Sequence, residues 1–377
     1  MTVQDAVIAA GVLNDANYVG RLFGDLVAMQ SSDARGIIPF CTAPYVALFI
    51  HEARRKPQVV DPAIFANLSA EAVQICATSR HSLKLFEDSK LKVDGRNPID
   101  VFLERFLREI WGRHSRYFLG NTWFPPARVL ETDLGLFRYN GRVVSTTHSA
   151  AFHLGVEAEH LFGNSAGVYI RHVMSEFGQC FSALGADLRQ DGDRTFAARI
   201  SSAELEDSDV RARRYYGRVF NGRSTPGMNG VLSDFRARVN FVNSMLVVGC
   251  DVLDLEYTVF KMRYIALYQV LASLGMLKRC DSHSHSLSPD SIAHIERIVD
   301  NSEAKFLMAR EVRGFRNTLV HYNLLGNVDL AKIDLDVPLF GLVAHYFPGH
   351  DYRSLSELID RVIRKTANEL NAWADGR

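Results

Sequence analysis

Residues 251–278 read DVLDLEYTVFKMRYIALYQVLASLGMLK, a long apolar stretch rich in Leu, Tyr and Met. A run of this length is too long for an ordinary strand, and its composition predicts a buried helix. Helical periodicity also recurs on both sides of it, so the sequence predicts a mainly α-helical protein. The other predicted helices are 69–86 behind Ser69, 99–113, 229–249, 289–300 behind Ser288-Pro289-Asp290, 303–322, and 354–374, where Ser354 and Glu357 have capping-box spacing.

One β signal interrupts the helical pattern. Residues Asn140-Gly141 lie between two alternating runs in GLFRYNGRVVST. Asn-Gly is the preferred pair of a type I′ turn, because both central residues need a positive φ. The sequence therefore predicts a single hairpin at about 135–147, and no larger sheet.

The composition is that of an ordinary soluble globular protein. The chain has 377 residues, 47% apolar and 23% charged, with 43 basic side chains against 43 acidic ones. This length predicts two domains and a core that needs no disulfide or metal. Zero net charge argues against a whole-surface attraction to nucleic acid or to an anionic membrane, but leaves room for a confined cationic site.

Several classes of protein lack sequence support. The five cysteines are scattered, with no CxxC pair, which favours a reducing cytosol. No run of 18 apolar residues occurs, and the start, with Asp5 and no basic segment, is unlike a signal peptide. Phosphate-loop, zincin and hydrolase motifs do not occur. We therefore expect a cytoplasmic protein with no membrane partner, no cofactor and no metal.

The best domain boundary lies in 186–228, where apolar periodicity is low and Gly and Pro cluster. This predicts a helical N-terminal domain, 1–200, of sensor or scaffold type, a linker, 201–228, and a helical bundle, 229–377. The linker interleaves cations with aromatic residues, a composition that suits single-stranded RNA. A solvated arm that pairs with the acids at 204–209 is the alternative. The RNA-contact candidates are Arg211, Arg213, Arg214, Tyr215, Tyr216 and Arg218.

The segment 303–322, EAKFLMAREVRGFRNTLVHY, has the strongest pattern. On a helical wheel one sector is apolar and predicted to face the core, and a second sector, about 180° away, is polar. Arg316 lies on the flank of the polar sector. An ordinary surface helix shows the same division, so spacing alone does not assign a site. The apolar sector holds Met308, Val312, Phe315, Leu319 and Tyr322, and the polar sector holds Arg310, Arg313, Asn317 and His321.

Within this helix, RNTLVH at 316–321 resembles the R-polar-xxx-H motif of HEPN-domain ribonucleases. The resemblance covers at most the last 150 residues or so. It implies a helical bundle and a metal-independent endoribonuclease, such as a toxin or phage-defence effector, with RNA as substrate. Arg316 would hold the phosphate, His321 would act as acid or base, and Asn317 would orient them. Arg310 and Arg313 would extend the RNA track.

The family is understood to build its site between two motif helices. One copy of this motif supplies one histidine, while acid and base roles are usually divided. The resemblance therefore implies a homodimer, with an antitoxin or regulatory protein as a further possible partner. A non-catalytic helical interaction protein, or a nucleotide-binding protein, is the alternative.

Three other groups are weaker candidates. Arg108 and His114 could be a degenerate second copy of the motif, but the spacing and the following Glu109 disfavour it. Two groups have residue types that can bind a metal, but neither has a partner segment that would bring further ligands to it. An ordinary structural role is therefore preferred over metal binding for both. These groups are Cys280 to His285, as a polar loop, and His153, Glu157 and His160, as one face of a helix.

Overall fold

A computed structural model describes residues 1–29, 32–84, 98–161, 166–188, 192–222, 224–279, 287–324 and 328–376. Helices make up 72% of the structure, which confirms the mainly α prediction. The α-helices are α1 Val3–Ala28, α2 Ser32–Arg54, α3 Ala70–Lys84, α4 Pro98–Arg105, α5 Gly112–Phe118, α6 Thr147–Leu154, α7 Ala166–Leu184, α8 Ala212–Tyr216, α9 Pro226–Asn240, α10 Tyr257–Arg279, α11 Pro289–Val299, α12 Ser302–Leu307, α13 Arg313–His321, α14 Leu342–Tyr346 and α15 Tyr352–Asp375.

Short irregular helices extend or join these elements. π-Helical turns connect α4 to α5 at Phe106–Trp111 and extend α9 at Phe241–Met245. The 3-10 helices are Pro62–Phe65, Pro125–Leu130, Ala158–His160, Ala186–Leu188, Phe196–Ala198, Ser202–Glu204, Val219–Gly222, Arg310–Val312, Leu330–Lys332 and Pro338–Gly341.

Helix starts follow the expected capping chemistry. The Ser69 hydroxyl accepts a hydrogen bond from the Ala72 amide, and Ser288 caps α11 as predicted. For α15 the predicted cap is wrong. The N-cap is Asp351, which forms its capping box with Ser354, so the helix begins at Tyr352. An aspartate cap also provides a full negative charge at the positive end of the helix dipole.

Helix α10 lies at the centre of the protein, as its apolar sequence predicts. It packs against α1, α9, α11, α13 and α15, and most of its side chains are buried. A helix that is apolar around most of its circumference is stable only when other elements cover it on several sides. Helix α10 therefore supports α13, the helix that contains the RNTLVH motif.

The predicted hairpin is present, as β1 Leu134–Tyr139 and β2 Arg142–Thr146. Asn140 and Gly141 both have positive φ, 48° and 72°. The expectation of a lone hairpin is wrong, because a third strand, β3 Leu205–Val210, pairs antiparallel with β1 and gives the order β2-β1-β3. The sequence of β3, LEDSDV, is acidic, and charged side chains on an edge strand protect a sheet from pairing with other chains. Because these side chains do not alternate with apolar ones, apolar periodicity does not reveal the strand.

The segment 201–228, predicted to be a linker of low periodicity, contains regular elements. That segment contains β3 and α8, and its Ala212, Tyr216 and Phe220 side chains are buried. One contiguous hydrophobic cluster extends from Val7 to Ala374. It includes side chains from both of the domains predicted at 1–200 and 229–377, a division that itself stays a prediction.

Helix α2 is the one described helix that is long and apolar enough to cross a membrane. The segment Gly36–Arg54 has a mean hydropathy of 1.3, and 89% of it is buried inside the protein. Packing against α3 and α7 accounts for much of this burial. Such burial is typical of a core helix.

Candidate active site

The motif segment is broken into two helices. A continuous helix over 303–322 was predicted, but α12 ends at Leu307, a 3-10 turn follows, and α13 begins at Arg313. Leu307 and Val312 are both buried in the core. A straight helix would place these two side chains about 140° apart around its axis. The turn lets both reach the core, and it also redirects the residues that follow.

Arg316 is buried and does not lie on an exposed ridge. The residue is 5% exposed, and its Nη1 donates to Oδ1 of Asn317 at 2.8 Å. Its guanidinium carbon lies 6.0 Å from the centre of the Tyr268 ring. Burial, assisted by the positive charge of Arg80 and opposed by Glu52, lowers the pKa of Arg316 to about 9. The protein therefore holds a cation in an environment that would favour an approaching anion.

His321, at the end of α13, contacts a carboxylate from the N-terminal half. Its Nδ1 lies 3.0 Å from Oε2 of Glu52, and its Nε2 lies 3.3 Å from Nη2 of Arg80. Arg80 Nε donates to Oε1 of the same glutamate at 2.6 Å. Because a guanidinium can only donate, Nε2 is the accepting nitrogen and the ring proton lies on Nδ1, facing Glu52.

Glu52 is the charged centre of this group. Burial raises the pKa of its carboxyl, but hydrogen bonding and charge from His321 and Arg80 outweigh burial and lower the pKa to about 2. The side chain of Glu52 is 3% exposed, whereas that of His321 is 29% exposed. A buried carboxylate thus orients a partly exposed imidazole. The same arrangement occurs where a catalytic base is oriented by a further side chain. We call Glu52, Arg80, Arg316, Asn317 and His321 the Glu52 cluster.

Three helices and a second buried ion pair position the cluster. Glu52 lies in the last turn of α2, Arg80 lies on α3, and α13 packs against α2. The residue after His321 is Tyr322, which ends α13 in the left-handed conformation at φ 58°. Its hydroxyl donates to Asp15 at 2.6 Å, and Asp15 also accepts from the buried Lys261. These contacts fix the end of the motif helix.

Arg310 and Arg313 differ from the buried Arg316 in their exposure to solvent. Both are exposed and line a cavity of about 580 Å³ between α10 and the turn that joins α12 to α13. The predicted ridge of Arg310, Arg313, Asn317 and His321 is therefore not one continuous helix face, because Arg310 belongs to the 3-10 turn and precedes α13.

The basic segment is only partly available to RNA. Tyr216 is 1% exposed and packs edge-on against Phe106 and Trp111, so its predicted role in base stacking is wrong. Tyr215 is half-buried against it. Helix α8 packs mainly on α9, whereas α13 packs mainly on α2, α10 and α14. The cationic members are Arg213, Arg214 and Arg218, which are exposed, and Arg211, which is half-buried.

The second motif copy finds no support in the geometry. Arg108 is 79% exposed and pairs with Glu104 at 2.9 Å. His114 is 1% exposed, and burial lowers its pKa to about 4. A buried neutral histidine and a solvated arginine do not form a shared site.

The weighed metal sites do not assemble either. Helix α6 ends at Leu154, so Glu157 and His160 do not share a helix face with His153. Glu157 pairs with Arg113, and His160 stacks on Tyr169. The group from Cys280 to His285 lies outside the described residues. Among the described residues, no group of three His, Cys, Asp or Glu side chains is arranged to hold a metal.

A second histidine–carboxylate pair lies in the interior. His153 Nε2 is 3.1 Å from Oδ1 of Asp234, and its Nδ1 is 3.2 Å from the Ser82 hydroxyl. Burial lowers the pKa of His153 in spite of Asp234. The adjoining cavity is about 20 Å³, room for about one water molecule. We call Ser82, His153, Asp234 and Arg238 the Asp234 cluster.

Sequence reasoning missed Glu52 and Arg80. Arg80 lies 241 positions before His321, and no spacing rule connects residues so far apart. One local signal exists, because the apolar run 45–50 is followed directly by His51 and Glu52. An acid at the end of a buried helix needs a cationic partner.

Comparison with known proteins adds no relative: no protein-family model, curated protein or solved structure matches this chain.

Proposed function

We propose that this chain is a metal-independent endoribonuclease of the HEPN type, with the Glu52 cluster as its active site. One observation supports this above the others. The His321 imidazole is held by the buried Glu52 carboxylate at 3.0 Å and is bordered by the guanidinium of Arg80. A histidine oriented by a carboxylate and surrounded by cations suits proton transfer at a phosphate ester.

The reaction would be an internal transesterification of RNA. His321 Nε2 takes the proton of a 2′-hydroxyl, and the resulting oxygen attacks the adjacent phosphorus. The bond from phosphorus to the 5′-oxygen breaks, leaving a 2′,3′-cyclic phosphate and a 5′-hydroxyl. Glu52 stabilises the imidazolium that forms, as the buried carboxylate does in a catalytic triad.

The two guanidiniums would carry the phosphate charge. Arg80 borders His321 Nε2 in the free protein, so it must turn from the ring to the phosphate when substrate binds. Arg316 adds a second cation, held by Asn317 at 2.8 Å. Forked guanidinium contacts to phosphate oxygens are strong because both partners are charged.

The leaving oxygen needs a proton, and each chain carries one motif histidine. In a homodimer with a two-fold axis, a second His321 supplies that proton. The resemblance also leads us to expect a cytoplasmic toxin or phage-defence effector with an antitoxin or regulatory partner. Light scattering on the purified protein tests the dimer directly.

The test is cleavage of end-labelled single-stranded RNA in EDTA. We expect wild-type protein to leave 2′,3′-cyclic phosphate ends, and both His321→Ala and Arg316→Gln to lose the activity. His172→Ala is a matched control, since His172 is largely exposed and pairs with Glu176 at 3.3 Å. Circular dichroism checks that each variant is folded.

Equal cleavage by wild type and both variants would remove these residues from the site. The alternative is a non-catalytic helical interaction or nucleotide-binding protein, in which Arg80, Glu52 and His321 form a structural ion-pair network. That alternative gains if wild-type protein neither cleaves nor binds RNA of mixed sequence.

A further inference from the structure

The cavity beside the motif helix has the size of a small-molecule site. Its volume is about 580 Å³, and ligand pockets commonly measure roughly 300–1,000 Å³. One wall is the C-terminal half of α10, and the opposite wall is formed by the end of α11, by α12 and by the turn before α13. The lining residues that the argument uses are Tyr268, Met276, Lys278, Asp300, Arg310 and Arg313.

Cationic side chains dominate the charged residues of the lining. Lys278, Arg279, Lys305, Arg310 and Arg313 are cationic, and Asp300 is the one carboxylate among the lining residues. Asp300 pairs with Lys278 and lies 3.6 Å from Lys305. Its negative charge therefore partly neutralises the two lysines that line the cavity. The three arginines are exposed. The forked donors of a guanidinium can bind two oxygens of one phosphate group, which an anion with a single acceptor atom cannot offer.

The floor of the cavity is apolar and partly aromatic. Tyr268, Leu271 and Met276 are 7%, 2% and 4% exposed, and Met308 adds a second thioether. Aromatic and methionine side chains adapt well to flat apolar rings. The cavity thus combines an anion-binding rim with a surface for a planar group.

We propose that this cavity binds a phosphorylated nucleoside, with the phosphates on Arg310 and Arg313 and the base against Tyr268. The source is either a free nucleotide or one unit of an RNA strand, and both present the same chemistry. The inference does not rest on the proposed cleavage. It connects to the Glu52 cluster through Tyr268, whose ring lines the cavity and contacts the Arg316 guanidinium.

The test measures binding to the full chain by calorimetry at low salt. The probes are ATP, AMP, pyrophosphate and a 2′-O-methyl single-stranded octanucleotide, which lacks the hydroxyl needed for cleavage. We expect the double variant Arg310→Gln/Arg313→Gln to weaken binding about tenfold or more.

A second variant blocks the cavity without changing its charge. A Cβ at Gly275 would meet Arg279 Nη1 at 3.5 Å, an ordinary contact, so the backbone position accepts a side chain and Gly275→Leu adds apolar bulk to the lining of the cavity. Leucine is also a better helix former than glycine. We expect this variant to fold normally and to lose binding, while the control Arg142→Gln/Arg353→Gln, at exposed sites outside the cavity, binds as wild type does.

Each outcome decides the matter. ATP binding that both cavity variants lose supports a free nucleotide, and binding of the octanucleotide alone with the same losses supports an RNA unit. Pyrophosphate that binds as tightly as ATP would remove the base from the proposal. No binding, or binding that Gly275→Leu retains, overturns it. Because these measurements report binding and require no cleavage, a failure here is separate from a failure to cleave.

Discussion

Two histidines in this protein each contact a buried carboxylate near an arginine. In the Asp234 cluster, His153 is 2% exposed and adjoins a cavity of about 20 Å³. In the Glu52 cluster, His321 keeps 29% of its side chain exposed. Both clusters combine an imidazole, a carboxylate and a guanidinium, and they differ most clearly in how accessible the histidine is to solvent. Chemistry on a polymer needs a site that the polymer can enter, and only His321 meets that condition.

The largest expected effect comes from removing each histidine in turn. His321→Ala should reduce RNA cleavage about 10²- to 10⁴-fold, as expected for loss of a general base. The unfolding free energy of this variant should fall by less than about 1 kcal/mol, because the imidazole is partly exposed and Arg80 still pairs with Glu52. His153→Ala removes one partner of the buried Asp234 carboxylate and leaves Arg238 and Ser149, and it should cost about 3 kcal/mol while the folded protein stays active.

Urea denaturation and single-turnover cleavage on the same preparations measure both quantities. The comparison breaks if His153→Ala abolishes cleavage in fully folded protein, or if His321→Ala unfolds the chain.

The pH dependence of stability sharpens the comparison. The folded-state pKa of Glu52, about 2, is below its ordinary value of 4.5. Its contribution is therefore complete above pH 4.5 and is lost as pH falls toward 2, by at most about 3 kcal/mol. His153 also has a lowered pKa, from an ordinary value of 6.5, so its contribution is lost from pH 6.5 downward.

Urea unfolding from pH 3 to pH 7 separates the two windows. Glu52→Gln should reduce the slope below pH 4.5 and leave the slope between pH 4.5 and 6.5 unchanged. A Glu52→Gln curve parallel to wild type throughout would show that the carboxylate is not held by His321 and Arg80 as described.

The smallest expected effect comes from Ser82. Ser82 contacts His153, which contacts Asp234, so the three side chains follow one another as in the Ser-His-Asp triad of a hydrolase. The Ser82 hydroxyl also donates to the Ser79 carbonyl at 3.0 Å, and the residue is fully buried. Ser82→Ala should therefore cost about 1 kcal/mol, the usual value of one hydrogen bond. Denaturation measures this cost, and a fluorophosphonate probe should leave wild-type Ser82 unlabelled. Labelling would mean that the Asp234 cluster opens to solvent.

The sequence predicts those features whose signals are local. Ser288 caps a helix and Asn140-Gly141 closes a hairpin because neighbouring residues alone satisfy the backbone. The strand at 205–210 is missed, since its acidic side chains reflect an edge position and not a buried face. The break before Arg313 is missed because helical periodicity continues through a turn that only tertiary packing requires.

The site divides in the same way. His321, Arg316 and Asn317 are found from one short motif, although the motif does not reveal that Arg316 is buried. Glu52 and Arg80 meet His321 only when the chain folds, and no local pattern records a contact between residues 241 positions apart. What could be inferred is that an acid beside an apolar helix needs a cation.

The placement of the cluster on three separated helices has a consequence for synthesis of the chain. Glu52 and Arg80 are made first and hydrogen bond to each other at 2.6 Å. His321 follows Arg80 by 241 positions, a delay of about 10–50 s at ordinary translation rates. Under the proposed function, the nascent chain carries a carboxylate and a cation but no base. An enzyme directed at RNA would thus leave the messenger that encodes it intact at least until the His321 codon has been translated.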